Sequence, residues 1–364
     1  MRTTMKSVAA GLILGGLALG ASGRFSDADA MPPHPDLASR SAQMAASVQR
    51  YNELRATFAE RGICQPGGGL AAGTAVSGPF NVLAVCVRFS DHDSSVAPTY
   101  FDDMLFEQAN GSMWDYYDEI SYGTLSLITV DLPSSIGWQL APQTYAYYVN
   151  NNYGFGSYPQ NTQKLCEDIV DLINPLVDFS VYDNDGNGYV DGLIITHTGS
   201  GAELTGSTSD IWSHKWGITP RLRDGVYIST YTVQPEYWIS PGDMTIGVYA
   251  HETGHMFGLP DLYDLDNSSR GIGKWSLMAN GSWNGSLGNS PAHPDAWCRT
   301  ELGFCTPTVV SGSISGASLA SVESSPTVYR LWEDGAAGSE YFLVENRQRT
   351  GFDAALPSAG LLIW

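Results

Sequence analysis

The chain has 364 residues, 43% of them hydrophobic, which is enough apolar material for a large folded core and excludes general disorder. Its 38 acidic side chains outnumber 18 basic ones, and the formal net charge of -20 excludes nucleic acid and anionic membranes as expected partners. The excess of carboxylates suits an extracellular protein and provides oxygen ligands for calcium.

The N-terminus has the pattern of a secretory signal. Two basic residues precede an apolar run over residues 8–19, which is shorter than a membrane span. Cleavage sites of the expected kind follow Gly23 and Ala30. We predict a signal peptide at residues 1–30 and a secreted protein without stable membrane insertion after its removal. The alternative is that the run is a membrane anchor.

Residues 31–78 have the pattern of a pro-segment, with a polar helix at 37–61 and a glycine-rich linker. Cys64 lies where a thiolate could bind a metal and keep an enzyme latent; the alternative is a disulfide half or an inert thiol.

Further along the chain, Cys298 and Cys305 are close enough in sequence to form a disulfide.

Residues 79–305 mix strand and helix patterns, which predicts an α/β (α+β) domain with one twisted mixed sheet. In chain order, the patterns predict a buried strand at 80–89, two short helices within 100–122, a strand at 124–132, an amphipathic helix at 160–177, a buried strand at 191–198, an exposed edge strand at 227–233, a helix from Asp243 to about 257 and a last helix at 295–302. A loop-rich lobe should follow residue 258. Residues 306–364 predict a β-rich segment, which we expect to be incomplete.

The strongest chemical signal is the sequence HETGH, from His251 to His255. On a helix, two histidines at four-residue spacing share one face and can bind one zinc ion, with Glu252 beside it as a base. Gly258 can end this helix in a left-handed conformation and turn the chain back, so that Asp261 becomes a third ligand. The alternative for Asp261 is a carboxylate that stabilises a turn.

Two features around this helix add to the signal. Met278 lies in WSLMAN, residues 275–280, and predicts an apolar floor beneath the metal; the alternative is an ordinary core methionine. The strand-like sequence before the helix predicts a sheet edge that would hold an extended peptide as an added strand.

A second constellation predicts a structural calcium site. Alternate positions of the loop DNDGNGYVD carry oxygen ligands, with glycine at position six, as in the first part of an EF-hand loop: Asp183, Asp185, Asn187, Tyr189 and Asp191. The twelfth position is Ile194 rather than a glutamate, so the loop is not a complete EF-hand. The alternative is a turn rich in Asp and Asn that binds no ion.

Three stretches, HETGHMFGLPDLYD (251–264), IWSHKW (211–216) and GKWSLM (273–278), resemble the immune inhibitor A family of secreted bacterial metallopeptidases, which belong to the metzincin clan. The resemblance covers roughly residues 80–364. Its GLPDLYD continuation is specific, since other metzincins usually carry a third histidine at the position of Asp261. The resemblance implies a metzincin-like catalytic domain, a pro-segment and further C-terminal domains. It also implies these site roles: zinc ligands His251, His255 and Asp261, general base Glu252, and Met-turn residue Met278.

We therefore predict a monomeric, extracellular zinc endopeptidase that acts on protein or peptide substrates. Tyr263 and Asp264 are near enough in sequence to orient the ligands, and Tyr263 is alternatively an oxyanion donor. His214 is a candidate hydrogen-bond partner of a ligand; the alternatives are that it lies near the calcium loop or has a structural role, and the structural role is favoured. Two other functions stay open. One is a catalytically silent, calcium-stabilised extracellular binding module, which would not need Glu252; the other is a zinc hydrolase of non-peptide substrates.

Overall fold

The computed structural model describes residues 29–37, 46, 49, 75–108, 111–264, 269–332 and 340–364. The predicted signal before residue 29, most of the predicted helix at 37–61, and Cys64 with most of its linker lie outside the described residues. Among the helices that the structure describes, none combines the length and the apolar character needed to cross a bilayer.

The elements alternate along the chain. The strands are β1 (Asp29–Ala30), β2 (Gly78–Asn81), β3 (Leu83–Arg88), β4 (Leu125–Ile128), β5 (Gln139–Leu140), β6 (Leu193–His197), β7 (His214–Arg223), β8 (Val226–Pro235), β9 (Thr308–Val310), β10 (Tyr329–Trp332), β11 (Tyr341–Arg347) and β12 (Gly360–Ile363). The α-helices are α1 (Thr99–Phe106), α2 (Met113–Ile120), α3 (Pro133–Ile136), α4 (Tyr145–Val149), α5 (Thr162–Ile173), α6 (Ala202–Thr205), α7 (Ile246–Met256) and α8 (Ala296–Glu301).

A six-stranded mixed sheet in the order β1–β7–β8–β6–β3–β5 forms the centre of the molecule. Strands β3, β5, β6 and β8 pair in parallel, whereas β7 is antiparallel to β8 and β1 is antiparallel to β7. Strands β2 and β4 form a separate parallel pair, and β9 to β12 form a second sheet in the order β12–β11–β10–β9. This combination of helices and mixed sheets confirms the predicted α/β (α+β) class.

Apolar clusters cover both faces of the central sheet. Along β3, Leu83, Val85 and Val87 belong to the cluster that also contains the buried side of α5. The alternating residues Ala84 and Cys86 belong to the cluster that contains α7. Burial on both faces explains why β3 and β6 are apolar at consecutive positions.

Most predicted elements are present, and two predictions about strands are wrong. The run at 80–89 divides at Val82, because β2 pairs with β4 while β3 joins the central sheet. The strand predicted at 227–233 as an exposed edge is β8, which lies between β7 and β6. The outermost strand on this side is the short β1, which pairs only with the first residues of β7, His214 and Lys215, and leaves the rest of β7 at the edge.

A side chain caps the start of some helices but not that of α7. Asp295 accepts hydrogen bonds from two amides at the start of α8, the last helix predicted at 295–302. The N-cap of α7 is Thr245 rather than Asp243. Asp243 instead caps the turn before α7, where it accepts bonds from the amides of Trp238, Ile239 and Ser240.

The two cysteines predicted to pair are separate, buried thiols in this structure. Cys298 belongs to the cluster that contains α7, and Cys305 belongs to a small cluster with residues of β11. Their pairing was inferred from proximity in sequence alone, and the turn after α8 sends the two side chains into different parts of the core.

Candidate metal centre

Helix α7 is buried along its whole length and presents His251 and His255 on one face. The two ring planes are nearly perpendicular, with centroids 4.7 Å apart, and the Nε2 atoms lie 3.1 Å apart. Each Nδ1 lies 2.8 Å from a backbone oxygen, that of Leu277 for His251 and that of Leu259 for His255. Because a carbonyl oxygen only accepts, each Nδ1 donates its hydrogen and each Nε2 keeps its lone pair.

Asp261 completes a triangle of donor atoms. Its Oδ1 lies 3.2 Å from the Nε2 of His251 and 3.3 Å from the Nε2 of His255. Gly258 makes this possible, because it ends α7 with a φ of 88°, in the left-handed region that favours glycine. Tetrahedral ligands at about 2.0–2.1 Å from a zinc ion are about 3.3 Å apart, so the three donors fit such an ion.

The protonation state of the site suits a metal. Burial is the main cause that lowers the pKa of His251, although the carboxylate of Asp261 opposes it, because it would accept a hydrogen bond from Nε2 in the protonated ring. A neutral imidazole is the form that binds a metal ion. Glu252, the residue after the first histidine, has a fully buried side chain on the same helix.

Met278 packs against α7 between the two histidines. A Cβ atom on Gly254 would lie only 2.6 Å from the Met278 sulfur, so the glycine makes room for the thioether. The backbone oxygen of Met278 accepts a 2.7 Å hydrogen bond from the amide of Leu262, next to the predicted ligand Asp261. The methionine therefore packs against the helix that carries both histidines, and its role as an apolar floor beneath a metal stays a prediction.

The N-terminal segment at residues 29–37 crosses this site. Its strand β1 adds to the edge of β7, and Ala30, Met31 and Leu37 are fully buried. The amide nitrogen of Ala30 lies 3.4 Å from Asp261 Oδ2, and the Tyr263 hydroxyl donates a 2.7 Å hydrogen bond to the oxygen of Ala30. The start of this segment thus lies beside the donor triangle, at Asp261.

His214 and Asp264, the other two residues expected to assist the ligands, make contacts with other parts of the chain. The His214 ring is within hydrogen-bond distance of Thr162, Tyr231 and the backbone oxygen of Trp212, so its contacts do not support a role beside a ligand. Burial lowers its pKa to about 3, which keeps it neutral. Asp264 accepts a hydrogen bond from the amide of Ser269 and stabilises the loop after the ligand.

The predicted calcium loop brings three carboxylates together. One oxygen from each of Asp183, Asp185 and Asp191 lies within 4.8 Å of the others. The amide of Asn187 donates to Asp183 Oδ1 and Asp185 Oδ1, each at 3.0 Å, and the amide of Tyr189 donates to Asn187 Oδ1 at 2.9 Å. Burial, with the charge of Asp185 as a smaller cause, raises the pKa of Asp191 to about 6.

Sequence reasoning missed two tryptophans that contact the N-terminal segment. The indole of Trp212 donates to the oxygen of Met31, and that of Trp283 donates to the oxygen of Pro32, both at 2.8 Å. Trp212 lies within one of the stretches that carry the family resemblance, which was the available signal. Nothing in the sequence around Trp283 indicated this contact.

Residues 91–303 match the family model described as "Immune inhibitor A peptidase M6, catalytic domain". The chain belongs to this family. The match contains the donor triangle, Glu252 and Met278, but excludes the N-terminal segment and β9 to β12.

Two relatives extend this finding. Over 245 residues, 56% of this chain, the sequence is 31% identical to the Pre-pro-metalloprotease PrtV of Vibrio cholerae serotype O1. Over 133 residues, 31% of this chain, it is 38% identical to Immune inhibitor A of Bacillus thuringiensis subsp. alesti. These matches span 26% and 19% of the two relatives, so this immune inhibitor A family member corresponds to about a quarter of their length or less.

Proposed function

We propose that this chain carries the catalytic machinery of a secreted zinc endopeptidase that hydrolyses peptide bonds in extracellular proteins. The observation that carries the proposal is the triangle of two imidazole nitrogens and one carboxylate oxygen, with sides of 3.1, 3.2 and 3.3 Å. Both imidazoles come from the helix that also holds Glu252. Membership of a metallopeptidase family supports it.

His251, His255 and Asp261 would hold the zinc, because nitrogen and carboxylate donors at tetrahedral spacing suit this ion and three protein ligands leave one position open. When bound, zinc polarises the scissile carbonyl and lowers the pKa of a coordinated water. The carbonyls of Leu277 and Leu259 hold the two imidazoles in the orientation and tautomer that this role needs.

Glu252 would act as general base through its carboxylate. It takes a proton from the attacking water and delivers it to the nitrogen of the leaving amine, so that the carboxylate is regenerated in each cycle. Complete burial supports this role, because removal from bulk water strengthens the effect of the charge on its neighbours. Tyr263 would donate its hydroxyl hydrogen to the carbonyl oxygen on which charge develops.

We also propose that residues 31–78 are a pro-segment and that the precursor is latent. The path of residues 29–37 beside the donor triangle supports this, because signal cleavage after Gly23 would leave Ala30 in the precursor, in space that a substrate would need. The printed name of the Vibrio relative, a pre-pro-metalloprotease, supports a leader and a pro-segment. Metal capping by Cys64 stays a prediction. The extents 79–305 for the catalytic domain and 306–364 for the β-rich segment are part of the same proposal.

Casein hydrolysis tests the proposed function. The secreted protein, freed of its pro-segment, should contain about one zinc per chain and cleave casein until a chelator removes the metal. Glu252→Gln should keep the zinc and lose at least about a thousandfold in kcat, since general base catalysis and water activation act together. Glu301→Gln, which alters an exposed glutamate of α8, is the matched control and should keep full activity.

Three results would contradict the proposal. Near-full activity of Glu252→Gln would contradict the role of Glu252 as general base. Cleavage that survives complete loss of zinc would contradict the role of the metal. Zinc binding without casein cleavage, once the pro-segment is gone, would favour either the silent binding module or a hydrolase of non-peptide substrates.

We propose that the loop at 183–191 binds a structural calcium ion through the side chains of four residues and the backbone of a fifth: Asp183, Asp185, Asn187, Asp191 and Tyr189. Three converging carboxylates support the site, because they repel one another unless a cation neutralises them. Calcium should raise the melting temperature of the wild type and leave that of Asp185→Asn unchanged. The matched control Asp103→Asn, at an exposed position of α1, should respond like the wild type. A wild type that does not respond to calcium would exclude the site.

A further inference from the structure

Three consecutive carbonyl groups of the N-terminal segment each accept a hydrogen bond from an aromatic side chain. Tyr263 donates to Ala30, Trp212 donates to Met31 and Trp283 donates to Pro32, at 2.7, 2.8 and 2.8 Å. The donors come from three separate parts of the chain: the loop after α7, the loop before β7, and the 3-10 turn Asn280–Trp283. They converge on one extended backbone.

Backbone amides of the segment are bound as well. The amide of Met31 donates to the oxygen of Ser213 at 3.1 Å, and that of His34 donates to the oxygen of Glu203 at 2.9 Å. The two residues between them are prolines, which have no amide hydrogen to donate. All these contacts involve backbone atoms of the segment, so a peptide of a different sequence could make them equally well.

The side chain of Met31 occupies an apolar site that could hold a substrate side chain. It is fully buried and belongs to the apolar cluster that also contains Met278, Trp238 and Trp283. The ring centroids of Trp238 and Trp283 are 4.8 Å apart, so a pair of large aromatic rings forms part of this environment. A long apolar side chain gains the full benefit of burial here, whereas a charged one would lose its hydration.

We propose that Trp212 and Trp283 are substrate-positioning residues, and that the enzyme prefers peptides with a long apolar side chain one or two residues after the scissile bond. This rests on the proposed function. The substrate takes the direction of the segment, antiparallel to β7, so that its carbonyls meet the same indoles. The position of the apolar side chain relative to the scissile bond follows from Ala30. Its nitrogen lies near Asp261 and its oxygen accepts the hydrogen bond of Tyr263, so Met31 is the first residue beyond this point.

The test measures peptide binding and turnover separately. The binding probe is the synthetic peptide DAMPPHPDL, the sequence of residues 29–37, and its affinity is measured on Glu252→Gln protein freed of its own N-terminal segment. Trp212→Phe and Trp283→Phe, added singly, keep an apolar ring but remove the donor. Each should weaken peptide binding about fivefold, the usual effect of one neutral hydrogen bond. Trp138→Phe is the control, because its indole donates to the oxygen of Val96, outside the segment.

Turnover gives the second readout. In the active enzyme, each Trp→Phe change should raise KM about fivefold and leave kcat nearly unchanged, because the bond is made equally in the ground state and the transition state. Products from casein should carry Met, Leu or Phe at their first or second residue. In the peptide, replacing the methionine by aspartate should weaken binding about tenfold or more, with the protein itself unchanged.

The outcomes separate the two proposals. Casein cleavage with unchanged peptide affinity in both tryptophan variants, or with no apolar preference after the cleaved bond, would overturn the positioning role. Peptide affinities that shift as expected in an enzyme that never cleaves casein would leave the subsite standing and contradict the peptidase.

Discussion

The hydroxyl of Tyr263 donates to the carbonyl of Ala30, whose own amide nitrogen is 3.4 Å from Asp261, the proposed third ligand. A substrate carbonyl at this position would accept the same bond, and the bond would strengthen as the oxygen gains negative charge. We therefore expect Tyr263→Phe to lower kcat about a hundredfold with little change in KM, measured with casein-derived peptides.

Tyr117→Phe is the control for this change. Its buried hydroxyl donates a 2.7 Å hydrogen bond to the oxygen of Ala250 in α7, so the variant loses a comparable bond that does not reach the segment. It should lose some stability and keep kcat. An increase in KM alone for Tyr263→Phe would show that the phenol anchors the substrate and does not stabilise the oxyanion.

The donor triangle was predictable from sequence because His251, His255 and Asp261 lie within eleven consecutive residues. Over this distance, helix geometry and one left-handed glycine determine which side chains meet. The role of Tyr263 stayed open for the opposite reason. Its partner, Ala30, is 233 residues away, and no local pattern indicates that the two meet. The sequence could not place His214 for the same reason, because two of its ring partners come from α5 and β8.

At the level of elements, Gly247 determines how closely α7 packs. A Cβ atom there would lie 2.1 Å from the oxygen of Ser282 and 2.9 Å from the Cα of Gly288, and neither backbone atom can move by a side-chain rotation. In an exposed helix, Gly→Ala would stabilise by about 1 kcal/mol. We expect Gly247→Ala to lower the free energy of unfolding by about 1–3 kcal/mol, measured by urea denaturation, and to weaken zinc binding.

Gly258→Ala provides the comparison within the same metal centre. An added Cβ meets nothing within 4 Å, so its cost is only the left-handed backbone, about 1–2 kcal/mol. The two variants separate steric exclusion from backbone strain. A Gly247→Ala protein as stable as the wild type would show that the turn at Ser282 yields easily and does not position the helix.

Strand identity was easier to predict than strand neighbours. The apolar pattern of β3 and the alternation of β8 were visible in the sequence, but their partners were not, because pairing joins residues far apart in the chain. Thus β8 was expected at an edge, although β7 and β6 flank it. Capping shows the same limit: Asp243 is a suitable N-cap residue, yet its carboxylate binds the amides of the preceding turn.

At the level of the whole molecule, buried ion pairs join the second sheet to the catalytic region. Glu345 in β11 pairs with Arg299 in α8 and with Arg347, and all three side chains are fully buried. Arg347 also pairs with Asp353 at 2.7 Å. Although burial raises the pKa of Asp353, the charges of His293 and Arg347 hold it at about 2. Such long-range pairs cannot be predicted from composition, so the sequence suggested a boundary at residue 305.

Glu345→Gln tests whether this boundary separates independent units. The variant leaves the buried guanidinium of Arg299 without its carboxylate, and removing one partner of a buried pair costs about 3–5 kcal/mol. Because Arg299 belongs to α8 and Glu345 to β11, we expect the catalytic region and the second sheet to lose stability together. Thermal denaturation should show a single transition at a lower temperature, with zinc released in the same transition.

Glu340→Gln, at an exposed position before β11, should change the free energy of unfolding by less than about 0.5 kcal/mol. The informative alternative is two transitions in Glu345→Gln, with zinc retained through the first. That result would mean that β9 to β12 unfold without disturbing the donor triangle, and that the buried pairs attach the second sheet without stabilising the metal centre. A single shared transition would instead place residues 306–364 within the cooperative unit that holds the metal, and removing them would then abolish zinc binding along with activity.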